Sequence, residues 1–223
     1  MKARNSGTDI QFDPAPAAMH IARCIRVVDL GTTFDEFWGK EKHECWVMWE
    51  LPNEMHTYTI KQENGTEKEI TEPFTVSKFY TLSLSEKAHL RNDLESWRGR
   101  GFTEEELEGF EMKKILGAPS MVNVIHAPKK APRKGINVIV KTVTGLPDGL
   151  QCPPAINDLV YFSLDPEEFN AASLEKLTKG IKQRVMHSNE YIAITTGIPA
   201  GAPTQQELAE PAGGDDFFDD IPF

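Results

Sequence analysis

HIARCIRVVDL, 20 to 30, is rich in β-branched residues and short enough for a strand, and HECWVMWEL, 43 to 51, places apolar or aromatic residues on both of the faces that a strand presents. They predict the first two strands of a sheet. Because side chains alternate across a strand, Trp46 and Met48 share one face of the second, while Cys45, Val47 and Trp49 share the other. The same rule sets Arg23 and Arg26 on opposite faces of the first. In TYTIKQENGTEKEI, 57 to 70, Asn64-Gly65 separates two alternating halves, a dipeptide that suits a type I′ turn, so a projecting hairpin is expected. PFTVSKFYTLSL, 73 to 84, predicts a third main strand; SMVNVIH, 120 to 126, and INVIVKTV, 136 to 143, predict the fourth and fifth.

Helical spacing appears between the third and fourth strands. Leu90, Leu94 and Trp97 recur at that period after Ser85, a plausible N-cap, and Thr103 with Glu106 forms a capping-box pattern for a second short helix. Further on, Asp165 as N-cap and Pro166 at the first helical position precede an apolar stripe of Leu174, Leu177, Ile181 and Val185. That helix is expected to pack back on the sheet, with Lys176, Lys179 and Gln183 on its solvated face. Five strands with a helix between the third and fourth is the order of an OB-fold barrel, a pattern other small barrels share. The expected fold is mainly β with helices: a five-stranded OB-fold barrel with a β-hairpin insertion and a C-terminal helical extension. Residues 1–17, with Pro14 and Pro16, read as a flexible lead-in, 18–194 as the barrel with its extension, and 195–223 as a disordered acidic tail.

Composition changes this picture in two places. The 223 residues are 39% hydrophobic, and no stretch reaches the roughly 20 apolar residues a membrane span needs, so a cytoplasmic protein is expected. Cys24, Cys45 and Cys152 form no CxxC pair, which fits a reducing compartment, and no metal or cofactor is expected. Cys24 and Cys45 would join His20 and His43 as zinc ligands only if neighbouring strands gathered them, and the H-x-C spacing matches no known knuckle. The formal charge is −10, which argues against a nucleic-acid partner until its distribution is considered. Six of the 34 acids and none of the 24 cations lie between Thr195 and Phe223, so residues 1 to 194 carry only −4.

No phosphate loop, HExxH or G-x-S-x-G motif is present, and an enzyme is not expected. A binding surface has more support. In OB-folds, oligonucleotides lie on the face of strands two and three, between the loops that join strands one to two and four to five. Here the first loop carries Phe34, Phe37, Trp38 and Lys40, and the second carries Lys129, Lys130, Arg133 and Lys134. The intervening strands add Trp46 or Trp49 with Lys78, Phe79 and Tyr80; one of each aromatic pair belongs to the core. Aromatic platforms and cations in one groove suit single-stranded DNA, because every base has a π-face and cations follow the phosphates.

The last residues, Asp219, Asp220, Ile221, Pro222 and Phe223, match in order and at the terminus the acidic tip of bacterial single-stranded DNA-binding proteins, which the end of this chain therefore resembles. The resemblance implies that the tip docks on replication, recombination or repair proteins, with Phe223 in an apolar pocket and its α-carboxylate against a basic side chain. The body is similar instead to a phage and prophage family of single-stranded DNA-binding proteins, through HIARCIRVVDLGTT, YTLSLSEKAHLRNDLESWRGRGFTEEELEGF and LGAP. Together these imply a protein that coats single strands in phage replication or recombination within the host cytoplasm. Two rival expectations are a strand-annealing recombination protein and an acidic adaptor that never touches DNA. The tail's six acids are also expected to occupy the basic groove when DNA is absent.

Overall fold

The computed structural model describes residues 14–36, 39–62, 65–132 and 135–197. Its frame is a curled antiparallel sheet of five strands: β1 (Met19–Asp35), β2 (Lys40–Lys61), β3 (Glu67–Thr81), β4 (Pro119–Pro128) and β5 (Ile136–Thr144), in the order β3-β2-β1-β4-β5. The sheet forms a half-barrel, with β5 brought back toward β3. A sixth strand, β6 (Val160–Phe162), runs parallel to β1 beside Arg26, Val27 and Val28. The strands are longer than the alternation predicted because β2 and β3 continue as a paired arm, from Met55 opposite Pro73 to Lys61 opposite Glu67. Asn64 of the predicted turn lies outside the described residues, while Gly65 has φ +81°, the left-handed conformation such a turn needs.

Helices fill the connections: α1 (His89–Arg98), α2 (Glu104–Glu108), α3 (Ala171–Glu175), α4 (Lys179–Met186) and α5 (Asn189–Thr196). The predicted stripe of Leu90, Leu94 and Trp97 is buried, but α1 starts after Ala88, because Ser85 is spent in a turn whose carbonyl accepts the Ala88 N–H. The capping box forms as predicted, with Thr103 accepting from the Glu106 N–H and Glu106 reaching back to Thr103. The predicted helix from Asp165 is instead two helices, capped at Asn170 and Thr178, since the Asp165 carbonyl closes a tight turn with the N–H groups of Glu168 and Phe169. Its stripe of Leu174, Leu177, Ile181 and Val185 is buried nonetheless. Lys176, Lys179 and Gln183 are exposed, as expected. Thr195 and Thr196, assigned to the tail, belong to α5.

Two apolar layers flank the sheet. The inner one joins Cys24, Val27, Cys45, Val47, Trp49, Val76 and Tyr80 to α1 and β4. The outer one sandwiches Val28, Leu30 and Trp46 beneath β6 and the stripe of α3 and α4. Burying both faces of β1 explains its near-continuous apolar run. Ala15, in the predicted lead-in, is also buried, and its carbonyl accepts from His126.

Candidate nucleic-acid interface

Cross-strand register gives the outer face a lattice of three rows: Arg23, Glu50 and Thr75; Arg26, Met48 and Ser77; Val28, Trp46 and Phe79. Directly paired residues share a face. Arg23 and Arg26 therefore lie on the same face, contrary to the alternation rule, because a β-bulge between Cys24 and Arg26 shifts the register by one residue. Their surroundings differ. Arg23 donates to the carbonyls of Gly117, Cys152 and Pro153 at 2.6 to 2.8 Å, which makes it a structural clamp. Arg26 is half-buried, its Nε is buried without a partner, and its guanidinium makes no hydrogen bond or ion pair among the described residues.

The C-terminal segment covers much of this lattice. The Glu50 carboxylate is fully buried and accepts from the Ile156 and Asn157 N–H groups and the Asn157 side chain at 2.8 to 3.0 Å, which fastens the loop before β6 over that part of the first row and leaves Thr75 exposed. Helices α3 to α5 seal the third row as far as Trp46. Glu190 of α5 takes the Thr32 N–H and hydroxyl, both at 2.6 Å, and Gly31 permits the approach: a Cβ there would meet Ser188 Cβ at 2.5 Å. What remains is a strip of the middle row and Phe79: the row is half-buried, with Met48 packed against the outer layer, and Phe79 is 44% exposed. Trp46 lies 6.4 Å from that ring, and the Arg184 guanidinium of α4 sits over it at 4.5 Å.

The predicted site residues are distributed unevenly around this strip. Phe79 is on it. Trp46 is buried beside it, and Trp49 and Tyr80 are buried on the inner face, so none of these three offers an open ring. Lys78 also points inward, where Asp93 accepts from Lys78 Nζ at 2.6 Å and from the Tyr80 hydroxyl at 2.8 Å. Burial and the Asp93 carboxylate push the Tyr80 phenol well above its ordinary range, so it stays a neutral donor. Phe34, 62% exposed, and Lys40 stand at the β1–β2 turn, away from Phe79; Phe37 and Trp38 lie outside the described residues. Lys129 and Lys130 are exposed at the tip of the β4–β5 arm, whereas Arg133, Lys134 and the tip Asp219 to Phe223 lie outside the described residues. Arg184 escaped the sequence reading because nothing local ties an exposed helical arginine to a strand 105 residues earlier.

The inner-face end of the half-barrel, near the β1–β2 turn, opens into a cleft of about 860 Å³. His43 bridges Asp29 at 2.7 Å and approaches Glu190 at 4.0 Å; the hydrogen bond to Asp29 is the main cause raising its pKa above the usual 6.5. Burial holds the Cys45 thiol up to about 12, which leaves it a small apolar group rather than a thiolate ligand. Cys24 sits opposite Trp49 and Cys45 opposite Asp29, while His20 bonds Pro16 and Glu54, so the sheet does not gather a zinc set from them. No group of three or more such ligands occurs among the described residues, and no described helix is long and apolar enough to cross a membrane.

The fold defines a mainly β protein whose sheet carries the exposed ring of Phe79 on the outer face with Arg26 one row away. No protein-family model, curated protein or solved structure matches the chain.

Proposed function

We propose that this chain binds single-stranded DNA without sequence preference and presents Asp219 to Phe223 to replication, recombination or repair proteins. The strand order, with α1 between β3 and β4 and β5 returning toward β3, supports an OB-fold as the body. One observation carries the DNA reading: Phe79 is half open on the outer face, with Arg184 on it and the unpartnered Arg26 one row away. A base can stack on the free part of the ring while the arginines meet the adjoining phosphates, and stacking of this kind contributes about 1–3 kcal/mol per base. Lys129 and Lys130 extend the phosphate track beyond the sheet.

Titration of labelled oligo-dT against a duplex of equal length, across a salt series, tests the reading. Tight, salt-sensitive preference for the single strand is expected. Equal affinity for the duplex, or none for either, overturns it. The burial of Glu50 and Trp46 beneath the C-terminal segment favours a second reading, an acidic protein-binding adaptor, which the absence of any DNA binding would select.

A further inference from the structure

The cleft at the end of the half-barrel has an apolar floor that includes Val27 of β1, Leu84 between β3 and α1, Leu90 of α1 and Phe110 just after α2. Its rim is acidic: Glu108, Glu111, Asp165, Glu167 and Glu168 line it, and the cations there are Lys113, itself 3.6 Å from Glu168, and His43, engaged with Asp29. Anionic phosphate is repelled by such a rim. Its complement is a segment with apolar side chains flanked by lysines.

The chain carries one. From Glu111 to Asp148 the sequence holds no acid between them, and the β4–β5 arm within that span exposes Lys129, Lys130 and Lys141 beside Ile136, Val138 and Ile139. These apolar residues are uncovered in their own molecule because the arm runs past the start of β1, where Met19 pairs with Asn123. The cleft borders β1 at Val27 and Asp29, so roughly 30 Å of strand separates the two features, at about 3.3 Å per residue. The arm also points away from the cleft, and a chain cannot fill its own.

We propose that the cleft receives the β4–β5 arm of a second copy, joining copies head to tail. A contact between two different surfaces leaves one arm and one cleft free at the ends, so it builds open chains or rings rather than a closed two-fold dimer. Lys129 and Lys130 cannot serve an acidic rim and a phosphate backbone together. Single-stranded DNA therefore draws the arms out and disperses the assembly, a part of the proposal that rests on the DNA reading; the self-association does not.

Sedimentation velocity of the full chain, without DNA, tests the contact. Average mass should rise with protein concentration at low salt and fall to the single chain at high salt. Two charge reversals at exposed positions, Lys129→Glu with Lys130→Glu on the arm and Glu108→Lys with Glu167→Lys on the rim, should each give single chains, with unchanged circular dichroism. An equimolar mixture of the two should assemble again, since the acidic arm of one then meets the basic rim of the other. A wild type that stays a single chain at every concentration, or a mixture that stays dispersed, overturns the contact. Oligo-dT added to the wild-type assembly should return it to single-chain complexes; oligo-dT that binds while the assembly persists overturns the competition alone. Oligo-dT that does not bind defeats the DNA reading and its competition, and leaves the contact to the salt and mixing results.

Discussion

Arg184 of α4 stands over the ring of Phe79 on β3, 4.5 Å from guanidinium carbon to ring centroid, and Glu44 holds the same guanidinium at 3.1 Å. The pair joins the C-terminal helices to the sheet at the edge of the strip. Phe79→Ala is expected to weaken oligo-dT binding by about 5- to 150-fold, the equivalent of losing ~1–3 kcal/mol of base stacking. Phe79→Leu keeps apolar area but loses the π-face, so it should weaken binding nearly as much. Fluorescence anisotropy with both variants checks this, and full affinity in Phe79→Leu would mean the ring acts by packing alone.

Arg23 and Arg26 share a face yet should respond oppositely to substitution. Arg26 has no partner to lose, so Arg26→Gln is expected to leave stability nearly unchanged and to flatten the log-affinity against log-salt slope by about 0.7, one phosphate contact on a single strand. Arg23→Gln strips three carbonyls of their donor and should destabilise by about 2 to 4 kcal/mol with the slope unaltered. Urea unfolding beside a salt titration separates the two. A larger stability loss at Arg26 than at Arg23 would reverse the assignment.

What was legible in the chain was local. Alternation divided Trp46 and Met48 from Cys45, Val47 and Trp49 as the structure does, because a period of two needs no knowledge of partners. The Thr103 and Glu106 capping box was legible for the same reason. The bulge beside Ile25 was not, since it exists only in the pairing of β1 with β2, and it moved Arg26 onto the face of Arg23. β6 is three residues long and is defined by its parallel pairing with β1, more than 130 residues earlier in the chain. Helix α5 carried signals that went unread: Ser188 accepts the Tyr191 N–H, Glu190 lies in the first turn, and Gly197 closes the end with φ +71°. For the site, composition identified the aromatic residues and cations but not their partners. Asp93 holds Lys78 and Tyr80 on the inner face, and the helices of the C-terminal segment bury Trp46; neither partnership is written in the local pattern.

Glu50 fastens the loop before β6 to the sheet. Its buried carboxylate accepts three hydrogen bonds, and a charged acceptor makes each stronger than a neutral pair. Glu50→Ala should cost about 2 to 4 kcal/mol in urea unfolding. Glu50→Gln, which keeps an acceptor without the charge, should lose less. Equal losses in the two would place the whole contribution in the charge, because glutamine keeps the volume and an acceptor.

His43 gives the fold a pH dependence of known sign. Its Nε2 lies 2.7 Å from Asp29 and its Nδ1 4.0 Å from Glu190, and the hydrogen bond to Asp29 leads the causes that raise its folded pKa above 6.5. A cation bound more tightly in the folded state stabilises that state while it stays protonated in both. The contribution is therefore complete below pH 6.5 and is lost as pH rises through the higher folded value. His43→Gln removes the titration and keeps a side chain able to donate to Asp29. The stability of wild type minus that of His43→Gln, followed by urea unfolding, should fall as pH rises from the acid side of 6.5 and then level off. Taking the difference cancels groups that titrate alike in both proteins. Because Glu190 also holds Thr32, the protection of the Thr32 amide from hydrogen exchange, taken relative to His43→Gln at the same pH, should fall in parallel as the imidazole loses its proton. A difference that rises with pH would place the neutral imidazole, not the cation, in the folded site.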